Sequence, residues 1–329
     1  MKRRRFIAAL GVAAMAAPIA ALAQQSTAIP RIGVLMGSSP SVEAEGLAAF
    51  RGALEKLGYI EGHNILIEPR YAMGQPNRLD SLARELVAMA PSVIVCVGRQ
   101  ETTALQAATR TIPIVFRQVN DPIEQGFVAS LARPGGNMTG FTQMSAALDP
   151  KRLELLHKIA PSVSRAVFLV NRTLTPGLPQ RVAQAEAAAK SLGIALRHIE
   201  AATPAELDAA LATIQESSSE ALLIQSDPML TGTEFPRILE FALTHRLATV
   251  FEGIRSLPLG GLLKYGPDND ENARFAAGYV AKIMQGAKPN DLPVQQPSKF
   301  LFVINLKTAK AIGLTVPPAI LDLADEVIE

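Results

Sequence analysis

The chain has 329 residues, 48% hydrophobic and 19% charged, with one cysteine, no tryptophan and a formal net charge of +2. That length exceeds one compact domain and suits two of about 100–150 residues each. The apolar content excludes a disordered chain. One cysteine excludes an internal disulfide framework and any multi-cysteine metal site, and the small net charge gives no electrostatic reason to expect a nucleic-acid partner.

The N-terminus reads as an address. Lys2-Arg3-Arg4-Arg5 is followed by an uncharged apolar run over 6–22 and then Ala21-Leu22-Ala23, the three parts of a secretory signal. The run is Ala-rich, broken by Gly11 and Pro18, and shorter than the roughly 20 strongly apolar residues of a membrane span. Residues 1–23 are therefore expected to be cleaved, leaving a soluble periplasmic protein. Arg3-Arg4-Arg5-Phe6-Ile7 also fits a twin-arginine signal, with Lys2 where Ser or Thr is usual, so both export routes stay open. Cleavage removes four basic residues and no acidic one, leaving 28 basic against 30 acidic groups. No cysteine stands near the cleavage region, so no lipid anchor is expected. The single Cys96 lies in the apolar run Val93-Ile94-Val95-Cys96-Val97 and reads as a small buried hydrophobe.

After the signal, strand and helix patterns alternate. Arg31-Ile32-Gly33-Val34-Leu35-Met36 reads as a buried parallel strand. Val42, Leu47, Phe50, Leu54 and Leu57 then form a helix face closed by Gly58. A strand opens at Ile65-Leu66-Ile67. Asn77 can cap a helix whose face is Leu79, Leu82, Leu86 and Met89. The 93–97 strand, a helix over 102–109 and a strand over 112–116 follow. The same order returns: a strand at 166–170, a helix with Val182, Ala185, Ala189 and Leu192 closed by Gly193, a strand opening at 195, a helix over 205–214, a strand at 221–224, a helix over 234–245 and a strand at 248–251. Gly58 and Gly193 lie 135 positions apart, as do Val115 and Val250. A helix over 269–285, a strand over 300–304 and a last helix running to the C-terminus complete the chain. The pattern predicts an α/β protein of two Rossmann-like doubly wound lobes joined by hinge crossovers. The expected division is 30–143 plus 266–288 for lobe 1 and 144–265 plus 289–329 for lobe 2.

Several short segments point further. They include Gly58-Tyr59 with Glu61-Gly62, Asp121-Pro122, Arg133-Pro134-Gly135-Gly136-Asn137 and Lys151-Arg152-Leu153-Glu154-Leu155-Leu156. Gly260-Gly261-Leu262-Leu263 with Tyr265-Gly266, Asn305-Leu306-Lys307-Thr308-Ala309-Lys310 and Ala324-Asp325-Glu326-Val327-Ile328 complete them. In this order, from about residue 29 to 329, the chain resembles the substrate-binding proteins of ABC transporters that include tryptophan- and tyrosine-binding members. The resemblance implies a type I periplasmic binding protein fold with three hinge crossings, an ABC permease and its ATPase as partners, and an amino acid or small carboxylate as cargo. A sensing module for a membrane receptor, or a periplasmic enzyme on the same scaffold, would use the same lobes.

Ligands of open α/β sheets sit beyond the carboxyl ends of the strands, which selects the loops there. Asp121 and Asp227, each before a proline, could hold an ammonium group or cap a helix. Arg99 and Arg255 could grip a carboxylate; Arg172 belongs to the same class of loop arginine. Ser38 and Ser39, before the first helix, could bind an anionic group or cap. Gln100, Asn171 and Glu252 complete the candidate ligand-binding set. Phe116, Phe141, Phe251 and Tyr265 could stack on an aromatic ligand or fill core. No catalytic motif or metal-ligand spacing is present among the residues, and neither cofactor nor metal is expected.

Overall fold

The structure is a computed structural model that describes residues 29–173, 177–227, 229–253 and 259–329. The expected signal peptide and Arg255 lie outside the described residues.

The first lobe is built from β1 (Arg31–Met36), α1 (Pro40–Lys56), β2 (Leu66–Tyr71), α2 (Leu79–Ala88), β3 (Val93–Val97), α3 (Arg99–Ala108), β4 (Ile114–Val119) and β5 (Met138–Thr142). Its sheet has the order β2-β1-β3-β4-β5, and every strand pair is parallel. The central strands β1 and β3 are apolar on both faces because both faces are covered. Val93 and Val95 join Ile32, Val34, Phe50 and Leu54 in one core layer, while Ile94 and Cys96 join Leu35, Leu86, Leu105 and Phe116 in the other. Single-residue alternation along β3 thus divides its side chains between two helix layers. Cys96 is fully buried as expected, and burial pushes its thiol up to about 12.

The second lobe comprises α4 (Asp149–Ile159), β6 (Arg165–Val170), α5 (Leu178–Ser191), β7 (Ala195–Glu200), α6 (Pro204–Glu216), β8 (Ala221–Ile224), α7 (Phe235–Thr244), β9 (Ala248–Phe251) and β10 (Leu263–Pro267). α8 (Asn269–Met284) follows, then β11 (Phe300–Asn305), α9 (Leu306–Ala311), α10 (Pro318–Leu321) and β12 (Glu326–Ile328). The sheet order is β7-β6-β8-β9-β10-β11-β12, parallel except for the β10–β11 pair. Phe168 and Val170 face one helix layer, Val167 and Leu169 the other.

The expected repeat extends to the helix ends. After α1, Gly58 turns to φ 85° and Tyr59 N–H reaches Leu54 O at 3.0 Å; after α5, Gly193 turns to φ 73° and Ile194 N–H reaches Ala189 O at 2.9 Å. Both are left-handed terminations in which glycine carries no Cβ penalty.

Three crossings join the lobes, as the resemblance implies. β5 lies in the first sheet, whereas α4 packs Leu153 and Leu156 into the second lobe's core. β10 lies in the second sheet, whereas α8 packs Ala273, Ala277 and Val280 against α1 and the first sheet. The third segment leaves Leu292 and Val294 in the first lobe's two cores and then enters β11. Asp268 N–H donates to Lys299 O at 3.1 Å, tying the second crossing to the third.

Two local expectations are overturned. The C-terminal segment is two short helices and then β12, which pairs with β11 in parallel, rather than a helix running to the end. Its apolar residues satisfy an edge strand formed 20 residues upstream, a pairing no local pattern discloses. Asn77 does not cap α2: a 3₁₀ turn over Pro76–Arg78 precedes the helix and no side chain caps it. β5, α4 and β10 were not anticipated as elements.

Candidate functional site

The carboxyl ends of the strands of both lobes face one another across a cavity of about 510 Å³. This lies inside the ~300–1,000 Å³ range of ligand pockets. Lobe 1 contributes the loops after β1, β3 and β4, and lobe 2 the start of α5 and the loops after β8 and β9, with Gln143, Ala146 and Ala147 of the first crossing between them. Two of the non-glycine residues held at positive φ, Gln118 at 55° and Asp121 at 47°, are on its wall, and Met144 at 55° is beside it in the crossing. Such strain persists where surrounding structure over-determines it and clusters at binding sites.

The expected residues divide. Ser38, Arg99, Gln100, Asp121, Asp227 and Glu252 all line the cavity. Ser39 and Asn171 do not. Ser39 is half-buried at the start of α1, makes no side-chain capping hydrogen bond and pairs its hydroxyl with Ser41 at 3.0 Å. Asn171 is buried behind the wall. Its Nδ2 donates to Asp227 Oδ1 at 3.3 Å, its Oδ1 accepts from Thr173 N–H at 3.0 Å, and Gln225 Oε1 accepts its backbone N–H at 2.7 Å. It organises the loop rather than presenting itself to the cavity. Arg172 is exposed and paired with Glu206 at 2.7 Å, away from the cavity wall.

The two aspartates behave differently from each other. No helix follows Asp121-Pro122, so the helix-capping alternative does not apply there; a run of turns follows, and Asp121 stays exposed at the cavity edge. Asp227 does cap. Its Oδ1 accepts the N–H groups of Met229 at 2.8 Å and Leu230 at 3.0 Å, opening a single π-helical turn over Met229–Thr233. Burial raises the Asp227 carboxyl above its ordinary value against these hydrogen bonds.

Glu252 belongs to a buried charge cluster at the hinge. Its two oxygens accept from Gln143 Nε2 and Ser145 Oγ of the first crossing. Arg152 Nη2 stands 3.1 Å from Glu252 Oε2, while Arg152 Nη1 donates to Asp149 Oδ1 at 2.7 Å and to Ser145 O at 2.9 Å, and Nε donates to Tyr265 O at 2.8 Å. Arg181, which lines the cavity, donates to both oxygens of Asp149, at 2.6 and 3.1 Å. A buried ionic group is tolerated when most of its lone pairs and protons are satisfied in this way; Arg152 Nη2 makes no hydrogen bond and has only its ion-pair contact with Glu252. The cluster clasps the first crossing to lobe 2.

The aromatic candidates are core. Phe141 stacks on Phe275 with centroids 5.3 Å apart, Phe251 meets Phe235 edge-on at 5.2 Å, Tyr265 stacks on Phe300 at 6.1 Å, and Phe116 is fully buried in the α2–α3 layer.

The strand-end rule selects the segments 98–102 and 117–121 that hold Glu101 and Arg117 without singling out either residue, and sequence reasoning missed Gln143, Arg181 and Gln225 on the cavity wall altogether. Glu101 is the most consequential. It stands in the first turn of α3, only 3% exposed, and its carboxyl occupies the space beside two glycines. A Cβ built on Gly37 would lie 2.1 Å from Oε1, and one on Gly98 2.7 Å from Oε2. Burial pushes its carboxyl up to about 8, with the charge of Glu43 acting in the same direction. The available signal was a glycine at the end of both adjacent strands.

Among the described residues no helix is long and apolar enough to cross a membrane, and no group of His, Cys, Asp and Glu could hold a metal ion.

The comparisons agree with this geometry. The chain is 26% identical to the tyrosine-binding protein of Clostridioides difficile (strain R20291), over 80% of this chain and 75% of that one. A conserved domain protein from Vibrio cholerae superposes with a TM-score of 0.83 at 26% identity, over 91% of this chain and 100% of that one. The ABC domain in complex with L-Trp from Streptococcus pneumonia gives 0.82 at 23% identity, over 92% and 100%. The family model of the ABC transporter substrate binding protein matches residues 34–328, and the chain belongs to that family.

Proposed function

We propose that the protein is the periplasmic receptor of an ABC importer for an amino acid, and that it acts by closing its lobes on the ligand and presenting the closed form to a permease coupled to an ATPase. The observation that carries this is a polar cavity walled by both lobes, whose relative position depends on three chain crossings. A ligand that touches both walls makes contacts in the closed form that an open form cannot make, and this difference alone shifts the population. The tyrosine-binding relative supports the amino-acid class. Ser38, Arg99, Gln100, Asp121, Asp227 and Glu252 remain the proposed ligand set from the sequence, with Glu101, Arg117, Arg181 and Gln225 added from the wall. The residues proposed to move together are 30–143 with 266–288 and 144–265 with 289–329, except that 292–295 travel with the first group.

No covalent step is assigned, and export by the N-terminal signal is part of the reading. A thermal-shift screen of the purified protein against the twenty L-amino acids tests it. At least one should raise the melting temperature in proportion to the logarithm of its concentration. A flat response to all of them overturns the amino-acid assignment.

A further inference from the structure

The cavity is unlike one built for an aromatic side chain. None of the described residues lining it is Phe, Tyr or Trp, and residues 174–176, 228 and 254–258 contain no aromatic either. Among the described residues its apolar side chains are Val42, Val97, Ala146 and Ala147. Against these stand eight Asn and Gln side chains, six carboxyl groups and three arginines. A site rich in buried polar groups discriminates strongly against a ligand that leaves them unpaired. An indole or phenol would do that.

The charges are also unequally committed. Glu252 is matched by Arg152, and Arg181 by Asp149. Asp227 spends Oδ1 on its cap. Glu101 has no ion pair among the described residues; its carboxyl accepts a hydrogen bond from its own backbone N–H and is held at the cavity wall by the space that Gly37 and Gly98 leave.

Resting on the amino-acid reading above, we infer that the cargo is a basic amino acid, its side-chain ammonium or guanidinium received by Glu101. The titratable groups around Glu101 are Glu43 on α1, Cys96 on β3, Arg99 on its own helix and Arg117 on β4. An arriving cation favours the ionised carboxylate, so the complex forms with release of a proton from Glu101. Affinity then tightens as pH rises from 6 to 8.

Isothermal titration of the purified protein with L-arginine, L-lysine, L-ornithine, L-glutamine, L-tryptophan, L-tyrosine and L-phenylalanine at pH 6, 7 and 8 tests this. A basic amino acid should bind at least about tenfold tighter than any aromatic one, gaining up to about tenfold per pH unit. Glu101→Gln should weaken it by about tenfold or more and remove the pH dependence. Preference for an aromatic amino acid or for glutamine overturns the inference and leaves the amino-acid reading intact. Binding of none of the seven overturns the inference, while the twenty-member screen decides the reading separately. Unchanged affinity in Glu101→Gln overturns the role of Glu101. If that variant fails to fold, the pH series on the unmodified protein decides: affinity that is flat or falls with pH overturns the inference.

Discussion

The two walls of the cavity are made by lobes of the same design, yet they treat charge in opposite ways. On the lobe 2 side, Glu252, Arg152, Asp149 and Arg181 form one continuous cluster, and Asp227 is tied to its own turn. On the lobe 1 side, Glu101 is just as buried but is provided with space instead of a counter-charge. One wall is complete before a ligand arrives; the other keeps a group whose best partner has to come from outside. A repeated fold therefore does not imply a repeated site, because the fold places the loops and leaves their side chains to set the chemistry.

The largest effect expected from breaking this contrast is on the complete wall. Arg152→Ala leaves Asp149 short of one partner and Glu252 without its cation, and removing one member of a buried pair costs about 3–5 kcal/mol. Chemical denaturation should show that loss, and a cost under about 1 kcal/mol would mean the hinge holds without its clasp.

The incomplete wall should respond to pH instead. Glu101 has its carboxyl raised from 4.5 to about 8. Its folded form therefore holds a proton that the unfolded chain gives up near 4.5. The stability this provides is fully present below that value and is lost as pH rises toward 8, at no more than about 1.4 kcal/mol per unit. Glu101→Gln should flatten the melting-temperature profile of the unliganded protein over that interval. An unchanged slope would place the titrating group elsewhere.

Lys264 sharpens the same comparison from inside lobe 2. It is fully buried on β10, its Nζ has no hydrogen-bond partner, and burial lowers its ammonium to about 8 in spite of the carboxylates of Asp268 and Glu252. The unfolded chain binds this proton more tightly, so stability rises with pH between 8 and 10.5 and is reduced by a constant amount below 8. Lys264→Met should stabilise the protein at pH 7 by about 1–3 kcal/mol and abolish the alkaline rise. A destabilised variant would show that the ammonium is held by its neighbours rather than tolerated. The smallest effect belongs to Arg172→Ala: its pair with Glu206 is exposed and screened by solvent, so neither the denaturation midpoint nor ligand affinity should change measurably.

How much of this was legible in the sequence depended on whether the cause was local. The doubly buried strands at 93–97 and 166–170 announce themselves because a parallel sheet with two helix layers demands apolar residues without interruption. Gly58 and Gly193 mark helix ends because only a residue free of Cβ turns left-handed at no cost. The loops of the site followed from the same rule of strand ends. β12 was hidden because Val327-Ile328 becomes a strand only when β11 is beside it. Asn171 was placed in the correct loop but on the wrong side of it, since nothing in the sequence tells a side chain facing the cavity from one supporting the wall. Glu101 escaped because a glutamate in a helix's first turn is ordinarily solvated; burying it took two glycines, one of them 64 positions earlier in the chain.

The buried Cys96 makes the protein a convenient instrument. Its thiol, sealed in a strand core and pushed up to about 12, offers alkylating dyes almost no thiolate at neutral pH. With no tryptophan in the chain, there is no indole emission to compete with a reporter either. At Gly74, beside the cleft, an added Cβ would sit only 3.1 Å from Thr233 Cγ2 on the opposite lobe. A single Thr233→Cys substitution would thus accept one fluorophore at one address, where light can follow the mouth of the cleft as it opens and shuts.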